Sequence, residues 1–200
     1  MSKQDKMLHQ LVEAKEFKIV LVDAPIVNEN TSVVQIDHQK AQYDVASKML
    51  GEAFHEKILY IAGEKDRYVT DARLQGIQQF VEEYHLKLQV LHGDFSERKA
   101  REIAFMYGEN ADCIVCGSDM MAIGAMKALI EMNIFRPVYG FDGINLMGYA
   151  GKQMHTVKQD FYEISSRAID EIHKLIEGGT GRMVTIPHKI VRIDYLDIIQ

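Results

Sequence analysis

Three polar residues could do chemistry together: Arg73, Asp119 and Asp142. A carboxylate accepts hydrogen bonds from two neighbouring hydroxyls, and a guanidinium fork donates to two oxygens at once. The combination suits a polyhydroxylated ligand. Phe95 could lay its ring on the apolar C–H face of such a ligand, or equally fill core space. Asp119, ahead of Met120 and Met121, also reads as a helix N-cap, whereas Asp142 precedes Gly143 and no clear helix. No nucleophile or general base is legible beside them. The chain carries no P-loop pattern, no G-x-G-x-x-G after a strand, no G-x-S-x-G and no H-E-x-x-H. Its eight histidines are scattered, with no i, i+4 pair, and read as surface or capping residues. No metal, cofactor or catalytic residue is therefore expected.

The elements that must hold these side chains follow from periodicity. Strands are expected over residues 18–22, 33–36, 58–62, 86–91, 113–116, 138–141, 154–157 and 189–193. Helical spacing falls at 8–12, 41–50, 70–81, 97–105, 120–132 and 161–176, with Ser96 as a cap and a glycine-rich loop at 178–181. Strands alternating with helices of this length mean α/β, with parallel sheets covered on both faces. In such sheets ligands bind beyond the C-terminal ends of the strands. Asp23, Asp37, the segment 63–73, Asp94, Phe95, Ser118, Asp119 and Asp142 all fall at those ends. Cys113 and Cys116 form a nominal C-x-x-C, but positions three apart on a strand point to opposite faces, so buried, reduced core thiols are expected.

The 200 residues are 47% hydrophobic and 26% charged, ordinary globular composition that excludes a disordered chain. Apolar runs such as 18–22 are strand-sized, far below the roughly 20 residues of a membrane span. The first residues, Met1 to Lys6, are charged on both signs, so a cytoplasmic protein without a signal segment is expected. Twenty-three basic against 29 acidic residues give a net charge of −6, and no basic run or zinc-finger spacing offers a DNA surface.

The order of motifs resembles the effector-binding region of the lactose-repressor/galactose-repressor family of bacterial transcription regulators. Residues 18–23 are similar to the family's strand ending in Asp, and Asp37-His38 stands where the family has Asp-Asn after a strand. His55-Glu56-Lys57-Ile58 resembles its Gly-His-x-x-Ile, Arg73-Leu74-Gln75-Gly76 its Arg-x-x-Gly, and Gly93-Asp94-Phe95-Ser96 its aromatic-containing turn. Ser118-Asp119 with Ala122 and Gly124 stands at its Asn-Asp-x-x-Ala-x-Gly element, with Ser in place of Asn. Gly140-Phe141-Asp142 and Thr156-Val157-Lys158-Gln159 match its Gly-Phe-Asp and Thr-Val-x-Gln, whereas Gln42 and Tyr43 replace small glycines.

The resemblance implies a periplasmic-binding-protein-like fold of two lobes. The first would comprise 1–56 plus 159–186, and the second 57–158 plus 187–200. The first lobe would be truncated, because the family begins it with further strand-helix units, and no helix-turn-helix precedes it. It also implies roles: Arg73, Asp119 and Asp142 bonding a small effector, Phe95 stacking on it, Ser118 beside them and Asp37 approaching from the other lobe. The expected function is effector sensing, with a sugar foremost, in a homodimer that reaches DNA only through a helix-turn-helix absent here. The alternatives are a sugar-binding protein of a transport system, or an α/β enzyme acting on a sugar or sugar phosphate.

Overall fold

Helices alternate with single strands or strand pairs from Lys6 onward in the computed structural model, which describes residues 6–51, 55–144 and 153–194. The charged residues 1–5, and 195–200 of the expected second lobe, lie outside the described residues. In chain order the elements are α1 (Lys6–Ala14), β1 (Ile19–Val22), β2 (Thr31–Ile36), α2 (His38–Ala46), β3 (Lys57–Ala62) and α3 (Tyr68–Glu83). They continue as β4 (Lys87–His92), α4 (Glu97–Tyr107), β5 (Cys113–Cys116), α5 (Asp119–Glu131), β6 (Val138–Asp142) and β7 (Gln153–Lys158). The last are α6 (Phe161–Ile176), β8 (Met183–Ile186) and β9 (Lys189–Asp194). None of the described helices is long and apolar enough to cross a membrane.

The chain divides into two compact units. The first comprises Met1–Asp37, Asp66–Val69 and Gln159–His188. Its sheet has the order β1-β2-β8, all parallel, with Leu21 opposite Val33 and Val34 opposite Val184. All six residues of the central β2 are buried, as a parallel strand covered on both faces requires. The helix α6, capped by Asp160 accepting from the Glu163 amide at 3.0 Å, packs along this sheet. One charge fixes it there. Glu171, 2% exposed, accepts from Arg182 Nε at 3.0 Å and Nη2 at 2.7 Å, and from Lys174 Nζ at 2.8 Å. Ser32 Oγ on β2 lies 3.4 Å from the same carboxylate and accepts from the Arg182 amide at 3.1 Å, so helix, central strand and the entry to β8 share one network. The Arg182 hydrogen bonds, with Lys174 adding to them, outweigh burial and hold the Glu171 carboxyl down to about 2.

The second unit comprises His38–Lys65, Thr70–Lys158 and Lys189–Gln200. Its sheet runs β4-β3-β5-β6-β7-β9, parallel except for β9, which returns antiparallel to β7. Leu59, Ile61, Ile114, Cys116, Met121 and Leu129 belong to its core. Both cysteines are buried and unoxidised there, with Cys113 Sγ 3.1 Å from Met49 Sδ and burial pushing its thiol up to about 12. The chemistry read for them from strand geometry holds.

Three expectations need correction. The strand β8 was not anticipated, because Met183–Ile186 is a four-residue edge strand with only its last residue fully buried. Helical spacing over 41–50 breaks after Ala46 into a 3-10 turn, Ser47–Gly51, where Ser47 Oγ donates to the Asp44 carbonyl at 2.7 Å and competes with the helical ladder. The compact units also part at Asp37/His38 rather than at residue 56, because α2 packs on β6 and β7.

Because the Glu171 carboxyl titrates near 2 in the fold against an ordinary 4.5, its stabilisation is complete above about pH 4.5 and disappears as the pH falls through 2. Thermal melts between pH 6 and 2.5 should therefore show a steeper loss for the parent chain than for Glu171→Gln. Parallel pH profiles would mean that the network contributes nothing to stability.

Candidate functional site

The C-terminal ends of β3, β5 and β6 lie side by side in the second unit, and the segments that leave them converge. Helix α3 brings Arg73 to this point. Gly76, one turn further along α3, lets the helix approach α2 so closely that a Cβ there would stand 2.1 Å from the Gln39 carbonyl oxygen. This close approach gives the Arg-x-x-Gly spacing a physical reason: the glycine seats α3 against α2, and the arginine one turn before it meets the start of α2.

Arg73 is 5% exposed, and a guanidinium stays charged at any accessible pH, so its donors must be met inside the protein. Nη1 donates to the Gly117 carbonyl after β5 at 2.5 Å, and Nε to His38 Nδ1, at the first residue of α2, at 3.4 Å. Nη2 lies 3.6 Å from Asp142 Oδ1 at the end of β6. The cationic carbon sits 3.7 Å from the centroid of the Phe141 ring, on which the His38 ring also stacks. Asp142 keeps 23% of its side chain exposed, so the pair presents an acceptor beside a buried donor.

Asp142 adopts φ +117° and Gly143 φ +68°, two successive residues in backbone that L side chains rarely take. Asp119 secures this turn. It is 0% exposed; Oδ1 accepts from Thr156 Oγ1 on β7 at 2.6 Å and Oδ2 from the Ile144 amide at 2.9 Å. Burial pushes the Asp119 carboxyl up to about 7, with the nearby Asp142 charge adding to the rise against the opposing hydrogen bonds from Thr156, Ile144 and Gly143. Asp119 is thus fully buried, with each of its oxygens engaged by the protein. It is not the helix cap: Ser118 caps α5, accepting from the Met121 amide at 3.3 Å.

The structure thus brings Arg73, Asp119 and Asp142 together, with Ser118 adjoining as a cap. Phe95 sits half-buried in a turn where Asp94 and Phe95 take φ +53° and +57°. Its ring covers Gly63 at the end of β3, where a Cβ would come within 2.1 Å of it, and packs on the unit's core. Asp37 ends β2 in the other unit and is exposed. Reading by residue type passed over His38 and Phe141, the partners on which Arg73 rests. His38 had a usable signal, since it directly follows a strand-end aspartate. Among the described residues no cluster of three or more His, Cys, Asp or Glu side chains could hold a metal ion.

Residues 5–180 match the family model described as "Periplasmic binding protein domain". Among curated proteins, the chain is 24% identical over 200 residues to the HTH-type transcriptional regulator AscG of Escherichia coli, covering 94% of this chain and 59% of that protein. It is 31% identical over 158 residues to the ribose operon repressor of Halalkalibacterium halodurans, covering 76% of this chain and 47% of the repressor. The first of these relatives is named a transcriptional regulator and the second a repressor, and the chain spans about half to three-fifths of their length. A solved putative transcriptional regulator LacI from Bacillus cereus subsp. cytotoxis superimposes with a TM-score of 0.86 at 22% identity, over 98% of this chain and 74% of that one. Fold class and resemblance read from the motifs are both met.

The packing around Asp119 makes Gly140 irreplaceable. A Cβ there would lie 2.2 Å from Asp119 Oδ1 and 2.8 Å from Met154 Cε. Gly140→Ala should destabilise the chain by about 1–3 kcal/mol through overpacking, read as a lower urea midpoint at unchanged slope. An unchanged midpoint would show that the carboxylate is not held where described.

Proposed function

The chain belongs to the periplasmic binding protein domain family, and from that premise we propose that it is the effector-sensing part of a LacI-like transcriptional regulator whose effector is a sugar. The observation that carries the reading is the Arg73–Asp142 pair at the strand ends. It offers a charged donor and a charged acceptor to adjacent hydroxyls or to a hydroxyl and a ring oxygen, over an aromatic floor supplied by Phe141. Phe95 flanks the end of β3, where it can cover the apolar side of a ring. The ribose operon repressor among the relatives supports a sugar, and the PurR repressors among them are the reason for including purine bases in the test.

In this reading the protein works in the cytoplasm as a homodimer and performs no catalysis. DNA contact belongs to a helix-turn-helix domain outside these 200 residues, consistent with the net charge of −6 within them.

Calorimetry and thermal-shift titration with D-ribose, other pentoses, hexoses and purine bases test the reading. At least one sugar should bind, and Arg73→Ala should weaken it by about 1.5–3 kcal/mol, the worth of charge-assisted hydrogen bonds. Because Arg73 also supports the fold, Asp142→Asn serves as the second variant and should weaken the same sugar. Binding of purines alone, of no sugar, or of a sugar indifferent to both substitutions would overturn the proposal.

A further inference from the structure

Asp119 is the fully buried carboxylate of the cluster, and its two oxygens tie the start of α5 to β7 and to the chain leaving β6. Oδ1 is bound to Thr156 of β7, and Oδ2 to the Ile144 amide in the chain leaving β6. Between these anchors stand Asp142 and Gly143; the φ of +117° at Asp142 is one that an L residue rarely adopts, whereas glycine takes +68° freely. Gly140 and Gly143 are spaced for the same arrangement: a Cβ on the first would enter Asp119 Oδ1, and on the second would lie 2.7 Å from Lys158 Cα on β7. The strand end is thus pressed onto β7 and tied there by one buried side chain.

We propose that Asp119 is a positioning residue, which through Thr156 and the Gly143–Ile144 backbone holds the strained end of β6 so that the Asp142 carboxylate stays against Arg73. The inference gives the proposed effector pair its support and rests on that reading only for the pair's purpose. The anchor depends on two hydrogen-bonding positions rather than on charge. An asparagine at 119 can still accept from the Ile144 amide through its oxygen. Its amide nitrogen can donate to Thr156 Oγ1, whose own proton turns to the Val157 carbonyl, 3.4 Å away. Asparagine therefore keeps the tie, and alanine removes it.

The test needs no ligand, so its failure is distinct from failure of the sugar reading. In the full chain, NMR hydrogen exchange follows the Gly143 and Ile144 amides and the Arg73 Nε–H, with the Cys113–Cys116 amides as an internal standard for global opening. Asp119→Ala should speed exchange at 143, 144 and the Arg73 Nε–H at least tenfold while leaving the standard unchanged, and Asp119→Asn should restore protection at all three. Thr156→Val, which removes one of the two ties, should give an intermediate rise and covers the case in which the alanine variant does not fold. Unchanged Arg73 Nε–H exchange in the alanine or the valine variant would overturn the proposal. So would an asparagine variant as loose as alanine.

Discussion

A guanidinium that is almost wholly buried and cannot lose its charge governs the second unit. Leaving such a group unpaired would cost several kcal/mol, so every segment near Arg73 is arranged to meet it. The carbonyl after β5, the imidazole opening α2, the carboxylate closing β6 and the Phe141 face each answer a different part of its surface. The same requirement sets α2 close against α3, with Gly76 permitting the contact, and places α2 with the second unit rather than the first. The group proposed to recognise an effector is therefore also the group on which the local fold converges.

Two buried carboxylates illustrate how charged partners decide whether burial wins. Glu171 in the first unit faces Arg182 and Lys174, and its carboxyl is held near 2. Asp119 in the second faces a hydroxyl, backbone amides and the like charge of Asp142, and burial raises its carboxyl to about 7. The linkage signs are opposite. Ionising Asp119 costs stability as the pH rises from its ordinary 3.8 toward 7, whereas Glu171 contributes fully until the pH falls below about 4.5. The two carboxylates together favour a mildly acidic stability optimum, with the second unit gaining where the first has not yet begun to lose.

Much of this was legible in the sequence because strand period and strand ends carry information that survives packing. The C-x-x-C on an apolar strand, Ser96 as a cap, the helix over residues 161–176 and the meeting of Arg73 with Asp142 all follow from local pattern. The inward turn of Asp119 was not legible, because an aspartate after a strand looks the same whether its side chain faces a ligand or the protein. Only the position of Thr156 on β7, which is fixed by tertiary register, decides between them. His38 was passed over because its burial depends on an arginine 35 residues away in sequence. The edge strand β8 escaped because a short, half-exposed strand carries little alternation of its own, and it forms by pairing with β2.

Arg73 and Asp142 are proposed to form one recognition unit for a hydroxylated ligand. A crystal structure of the chain with the tightest-binding sugar of the titration panel tests it most directly. The account predicts sugar oxygens within hydrogen-bond distance of both Arg73 Nη and Asp142 Oδ, with Asp119 still bound to Thr156 and Ile144. A sugar seated elsewhere, with the Arg73–Asp142 pair untouched, would contradict it.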